Sequence, residues 1–281
     1  MVRDVDVRSI EDGVARMCME TNVLAPDDLI KALKKGMAEE EPGTAREIFR
    51  VLLENLEVAR NENLPICQDT GMTVVFLDVG QDVHLAGGDV SEAVNEGVRR
   101  GYRQGYLRKS VVADPLRRMN TGDNTPAVIH FSVVPGDKVR VTVVPKGFGS
   151  ENMSAIRMLK PTEGYEGIKR FVIDTIKNAG ANPCPPIVVG IGVGGTFEKA
   201  ALMSKEALTR PLGKPSGDEN TRRMENDLLK EINKLGIGPQ GLGGRVTALS
   251  VAVNTYPTHI AGLPVALNIC CHVYRHASIE I

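Results

Sequence analysis

An α/β architecture, with a helical N-terminal region followed by mixed β-sheets surrounded by helices, is predicted by three patterns in this 281-residue chain. Apolar residues recur at helical spacing through the first sixty positions. β-Branched runs begin at Met72, and from there strand-like and helix-like stretches alternate to Ile281.

Ile10, Val14, Met17 and Cys18 share one face of a helix that Ser9 is placed to cap. Leu29, Ile30, Leu33 and Met37 stripe a second helix, and Ile48, Phe49, Leu52, Leu53 and Leu56 a third. "MTVVFLDV" (72–79) has the β-branched character of a strand, and residues 88–108 return to helical spacing. "AVIHFSVV" (127–134) and "KVRVTVVP" (138–145) flank Pro135-Gly136-Asp137 and read as an antiparallel hairpin, with Val139, Val141 and Val143 alternating against Lys138, Arg140 and Thr142. Helices are expected over 165–179, 197–208 and 219–235, and strands over 185–190, 245–256, 263–269 and 273–281. No repeat or clear linker interrupts the chain, although "TRPLGKPSGDEN" (209–220) is a long polar loop. A single domain over 1–281 is the expected organisation, with 1–60 its helical part.

Composition narrows the class of function. The formal net charge is −1, from 34 basic and 35 acidic residues without a long run of either sign, so neither nucleic acid nor an anionic membrane is expected as a partner. No stretch approaches the roughly 20 apolar residues that span a bilayer, and "MVRDVDVRSIEDG" lacks the layout of a signal peptide, which points to the cytoplasm. Five scattered cysteines in a reducing compartment are for packing, metal or catalysis rather than disulfides.

Cys67 stands in "NLPICQDTGMTVV" (63–75), where Pro65 and Gly71 bracket Cys67, Gln68, Asp69 and Thr70 between a helix and a strand; this is either a hydrogen-bonded turn or a site. Cys184 stands in "NPCPPIVVGIGVGG" (182–195), where the following prolines stiffen its approach to a strand; it suits a ligand as well as a small buried hydrophobe. Cys18, on an apolar helix face, reads as core. "GIGVGG" (190–195) satisfies G-x-G-x-x-G as a turn between strand and helix, but the acidic residue that should end a second strand about 20 positions on is missing, which weakens a nicotinamide or flavin site. "KGFGSENMSAI" (146–156) is a second glycine-rich loop whose amides and Lys146 could cradle a carboxylate, or simply a loop and helix cap. The long connection from Tyr106 to His130 carries Arg108, Lys109, Arg117 and Arg118 beside "NTGDNTP". In "NICCHVYRH" (268–276) a strand would send Cys270 and Cys271 to opposite faces, so one site is not expected to take both, and His272 and His276 would share a face with Tyr274, which fits a helical two-histidine metal site poorly. Three thiolates from separate loops suit an iron–sulfur cluster with one iron open to substrate.

Three stretches together, "ICQDTGM" (66–72), "NPCPPIVVGIGVGGT" (182–196) and "HIAGLPVALNICCHVYRH" (259–276), supported by "LRKS", "NTGDNTPA" and "KGFGSEN", resemble the α subunit of the iron–sulfur (class I) fumarate hydratases and the similar L-tartrate dehydratases. The resemblance implies a [4Fe-4S] cluster on Cys67, Cys184 and Cys271, with Cys270 a packing or neighbouring thiol. It implies acid–base work by Asp69 and His259, and binding of the carboxylates of a small dicarboxylate by Gln68, Arg108 and the Gly149 region. Single-chain members continue into a second domain where this chain ends, so the resemblance implies a separate β subunit and an α2β2 assembly. The expected reaction is reversible hydration of fumarate to (S)-malate, with L-tartrate dehydration the alternative. A zinc-stabilised scaffold or an electron-transfer protein is the competing class, and a scaffold would want four closing ligands.

Overall fold

The computed structural model describes residues 2–281. In chain order its elements are β1 (Arg3–Asp6), α1 (Val7–Val23), α2 (Asp27–Glu39), α3 (Thr44–Glu62), β2 (Met72–Gly80), β3 (Val83–Ala86), α4 (Val90–Gln104), β4 (Val128–Val134), β5 (Val139–Lys146), α5 (Phe148–Glu151), β6 (Ala155–Leu159), α6 (Gly164–Ala179), β7 (Ile187–Gly194), α7 (Phe197–Ala207), α8 (Glu219–Asn233), β8 (Ala248–Tyr256), β9 (Leu263–Cys270) and β10 (Ala277–Glu280). This is an α/β fold with its three opening helices in place. They divide between two compact units, the first made of residues 1–25, 56–148 and 275–281 and the second of 26–55 and 149–274. No helix of the described residues is long and apolar enough to cross a membrane.

The first unit is built on a four-stranded sheet in the order β10-β5-β2-β4, with a small parallel pair of β1 and β3. One face of the larger sheet presents Val75, Leu77, Val139, Val141 and Val143, and these bury against Ile10, Val14 and Cys18 of α1 and Val94, Val98 and Tyr102 of α4. Val139, Val141 and Val143 are fully buried and Arg140 is exposed, but Thr142 and Val144 are buried too, so the expected alternation ends after Arg140. The expected hairpin of residues 127–145 does not form. β2 lies between the two strands, parallel to β4 and antiparallel to β5. Its end holds the connecting loop, with Asp82 donating to the Gly136 carbonyl and Gly80 to that of Lys138. α1 is also capped differently from expectation: Asp6, at the end of β1, accepts the Arg8 N–H, and Ser9 merely donates to the Asp6 carbonyl.

The second unit carries the sheet β6-β9-β7-β8, in which β9 is antiparallel to both β6 and β7, and β8 runs parallel to β7. Val189 and Ile191 of β7 join Phe171, Val172 and Ile176 of α6 and Leu228 and Ile232 of α8 in the core. The alternate residues, Gly190 and Gly192, face α7. A Cβ at Gly190 would stand 2.1 Å from the Ser204 carbonyl oxygen, and one at Gly192 2.1 Å from that of Ala200. Two residues of strand advance about 6.6 Å and four of helix about 6 Å, so the two glycines match two successive turns of α7. "GIGVGG" is therefore mostly strand, and its glycines seat a helix where the sequence suggested a turn for a dinucleotide.

Candidate active site

On the first unit, the turn from Cys67 to Gly71 follows α3 and leads into β2, and its carbonyls are held by buried donors. The Tyr102 hydroxyl donates to the Thr70 oxygen at 2.6 Å and lies 3.0 Å from that of Gly71. Burial raises the Tyr102 phenol well above its ordinary pKa, so it remains a donor. Asn124, fully buried, donates to the Gly71 oxygen at 3.2 Å while its own oxygen accepts the Ser110 N–H at 2.7 Å. Arg275 donates from Nη2 to the Asp69 oxygen at 2.5 Å and from Nε to that of Pro145 at 3.2 Å. With its backbone fixed this way, the turn displays a half-buried Cys67, an exposed Gln68 and a half-buried Asp69.

The Asp69 carboxylate accepts the Gly71 N–H on Oδ1 and the Phe148 N–H on Oδ2, each at 2.9 Å, which leaves acceptor capacity on both oxygens. The Asp69 N–H points to the Cys67 sulfur at 3.4 Å. The exposed Arg108 is tied to the same turn, because its carbonyl accepts the Thr70 hydroxyl at 2.8 Å. Lys146 is only 2% exposed and its Nζ donates to the Gly147 carbonyl at 3.3 Å.

On the second unit, Cys184 sits in a left-handed conformation, φ 52°, on the loop before β7, and Cys271 immediately follows β9. Their loops meet: the His272 N–H donates to the Cys184 carbonyl at 3.3 Å. Cys184 is exposed and Cys271 half-buried, whereas Cys270, the last residue of β9, is 8% exposed. Residues 273–281 do not form the continuous strand expected. Val273, Tyr274 and Arg275 are buried in succession, which an alternating strand face forbids, and pairing resumes only at Ala277. The Cys270/Cys271 distinction thus comes from the end of β9 rather than from opposite faces of one strand. His272 serves its neighbours instead of pairing with His276, its Nδ1 lying 3.1 Å from both Gln240 Nε2 and the Cys184 oxygen.

Gly149 lies beside the Cys184 loop, a Cβ there standing 3.8 Å from the Asn182 carbonyl. Its segment is fixed to β9, with Glu151 accepting from Asn268 and Ser154 accepting the Ile269 N–H at 3.1 Å. His259 is exposed on the loop between β8 and β9; its Nδ1 accepts the Ala261 N–H at 3.2 Å, so in the neutral ring the proton resides on Nε2. Cys67, Gln68, Asp69 and Arg108 are therefore gathered on the first unit, and Gly149, Cys184 and Cys271 on the second, with His259 on a separate loop of the second.

No cysteine forms a disulfide, and among the described residues no three His, Cys, Asp or Glu side chains form a ready metal cage. The donor chemistry nevertheless suits an iron–sulfur group. Three thiols occupy solvent-reachable loop positions, and soft thiolate is the ligand such clusters take. The other two are packed away: Cys18 is fully buried, which pushes its thiol up to about 12, and Cys270 closes a strand. Arg275, 4% exposed, faces only carbonyls and leaves Nη1 without a partner, a buried positive charge behind the Cys67 turn that favours an anionic occupant. Tyr102, Asn124, Arg275 and Gln240 were not singled out from the sequence. "NTGDNTPA" carried a signal for Asn124, and "NICCHVYRH" spans Arg275 without giving it a role.

A family model described as Fumarate hydratase (Fumerase) matches residues 11–280. The chain is 40% identical over 274 residues, 95% of its length and 96% of the relative's, to the "Putative L(+)-tartrate dehydratase subunit alpha" of Methanocaldococcus jannaschii. It is 30% identical over 279 residues to the "L(+)-tartrate dehydratase subunit alpha" of Escherichia coli strain UTI89, covering 98% of this chain and 91% of that one. The protein of that name from Shigella sonnei is 29% identical over the same shares.

Proposed function

Because the chain belongs to the fumarate hydratase (Fumerase) family, whose members are hydro-lyases, we propose that it is the alpha subunit of an iron–sulfur enzyme that reversibly hydrates fumarate to (S)-malate. The observation that carries the reading is the division of the five cysteines. Cys67, Cys184 and Cys271 sit at solvent-reachable loop positions while Cys18 and Cys270 are packed, and this is the set of three that an open-iron cluster requires.

When bound, a [4Fe-4S] cluster on those three thiolates would supply a Lewis acid that lowers the cost of expelling hydroxide from a 2-hydroxy acid. The remaining work falls to the polypeptide. Arg108 offers a planar guanidinium and Gln68 an amide to the substrate carboxylates, and Gly149, lacking a side chain, lets backbone amides approach a carboxylate. His259 holds its neutral-form proton on Nε2, so Nε2 is the atom through which it would exchange a proton with the substrate. Asp69 is the carboxylate assigned to share the acid–base work with His259. Within this reading, residues 1–281 act as one alpha-type domain.

The curated relatives are named as alpha subunits, which supports a separate beta subunit here, in an α2β2 assembly. Their names also favour a second reading for the substrate, L(+)-tartrate, which differs from malate by one hydroxyl. The test is anaerobic reconstitution with iron and sulfide, with and without the partner, followed by assays on fumarate, (S)-malate and L-tartrate. Activity is expected only with the partner, on one of these acids, and not in Cys67→Ser. Full activity of this chain alone would remove the partner from the reading, and a colourless, zinc-loaded, inert pair would remove the hydro-lyase.

A further inference from the structure

The loop between α8 and β8 holds a conformational exception. Gly236, Gly238, Gly241, Gly243 and Gly244 all take positive φ, as glycine does without cost, and Gln240 shares that left-handed region with φ 53° and ψ 18°. A side chain there is strained, and glycine would fit this segment as it fits its neighbours. What the Gln240 side chain adds is two contacts beside one made by the backbone. Its backbone N–H and its Nε2 both donate to the Pro185 carbonyl, at 2.7 and 2.8 Å, and Nε2 lies 3.1 Å from His272 Nδ1.

An amide nitrogen has two hydrogens, so one can serve Pro185 and the other His272. His272 in turn donates its backbone N–H to the Cys184 carbonyl. In the other tautomer its Nδ1 donates to that carbonyl as well, at 3.1 Å, so the ring joins the two loops in either form. Pro185 directly follows Cys184 and His272 directly follows Cys271. One half-buried side chain therefore spans the residues next to two thiols that lie 87 positions apart in the sequence.

We propose that Gln240 is a positioning residue: its amide fixes the spacing of the Cys184 and Cys271 loops, and the strain at its backbone is tolerated for that clamp. The inference rests on the reading of those two thiols as cluster ligands. Gln240→Gly separates clamp from strain, because it removes the amide and relaxes the backbone at once. Gln240→Glu keeps the shape but replaces the donor with an acceptor that repels the Pro185 oxygen.

Two readouts decide it. Hydrogen exchange in the full chain without iron follows the Cys184 and His272 amides, and iron loss to a chelator follows the reconstituted complex. Gln240→Gly should exchange these amides and lose iron about tenfold faster than wild type, the scale expected from losing one buried hydrogen bond, while its Tm is unchanged or raised. Gln240→Glu should also release iron faster. Wild-type rates in both variants would overturn the clamp. So would a Tm that falls with Gln240→Gly, since the residue would then be merely structural. A wild-type complex that takes up no cluster would instead overturn the proposed function, and the exchange data would still judge the clamp.

Discussion

Gly192→Ala is the sharpest test of why "GIGVGG" is glycine-rich. The added methyl would meet the Ala200 carbonyl oxygen at 2.1 Å and the Ser204 nitrogen at 2.9 Å, both helix backbone that no side-chain rotation can clear. The first contact is roughly 1.3 Å short of van der Waals distance, so α7 must move out along β7. Ala200 and Ser204, now 0% and 3% exposed, would lose their close fit to the sheet. A gap of 0.5–1 Å already forfeits about a quarter to a half of a contact's attraction, and overpacking of this kind costs about 2–3 kcal/mol. In a chain of this size that corresponds to a Tm lower by about 4–10 °C in calorimetry. Gly190→Ala, with the same 2.1 Å conflict against Ser204, should match it. An unchanged Tm in both variants would refute the helix-seating argument and return these glycines to the turn role suggested by their spacing.

Three further outcomes are expected. Asp123 is pushed up by partial burial, but the Thr125 N–H and the Arg99 guanidinium outweigh this and hold its carboxyl down to about 2. Its folded pKa is below its unfolded value, so the stabilisation of about 1–2 kcal/mol is complete above about pH 4 and lost as pH falls toward 2. Asp123→Asn should flatten acid unfolding in that window, and an identical profile would count against the assignment. Iodoacetamide on the native chain without iron, read by mass spectrometry, should label Cys184 first and then Cys67 and Cys271, leaving Cys18 and Cys270 largely unmodified; prompt labelling of Cys18 would contradict its burial. Cys271→Ser should abolish iron retention while Cys270→Ser largely spares it, and equal losses would break the distinction drawn from the end of β9.

The sequence carried the helices because their apolar stripes are local. Ile10, Val14 and Cys18 declare a face before anything packs on it. Strand partners were harder, since Pro135-Gly136-Asp137 looks the same whether it joins neighbouring strands or passes over the end of β2. In the glycine stretch, the sequence showed small residues but not what presses on them. Cys67, Asp69 and Arg108 were recognisable as candidates through their motifs. Their supports were not, because Tyr102 reaches Thr70 across 32 positions and Arg275 reaches Asp69 across 206. A supporting residue of this kind has no local signature, and its chemistry exists only once distant chain is in place.

That last distance bears on biosynthesis. The first unit takes its residues from three separate stretches, so its sheet lacks β10 and the Asp69 carbonyl lacks its guanidinium until the chain has been made past Arg275. A ribosome therefore delivers the Cys67 turn early and its buttress late, with the whole of residues 149–274 translated in between. The turn can reach its final form only once Arg275 has been made and has folded back onto it.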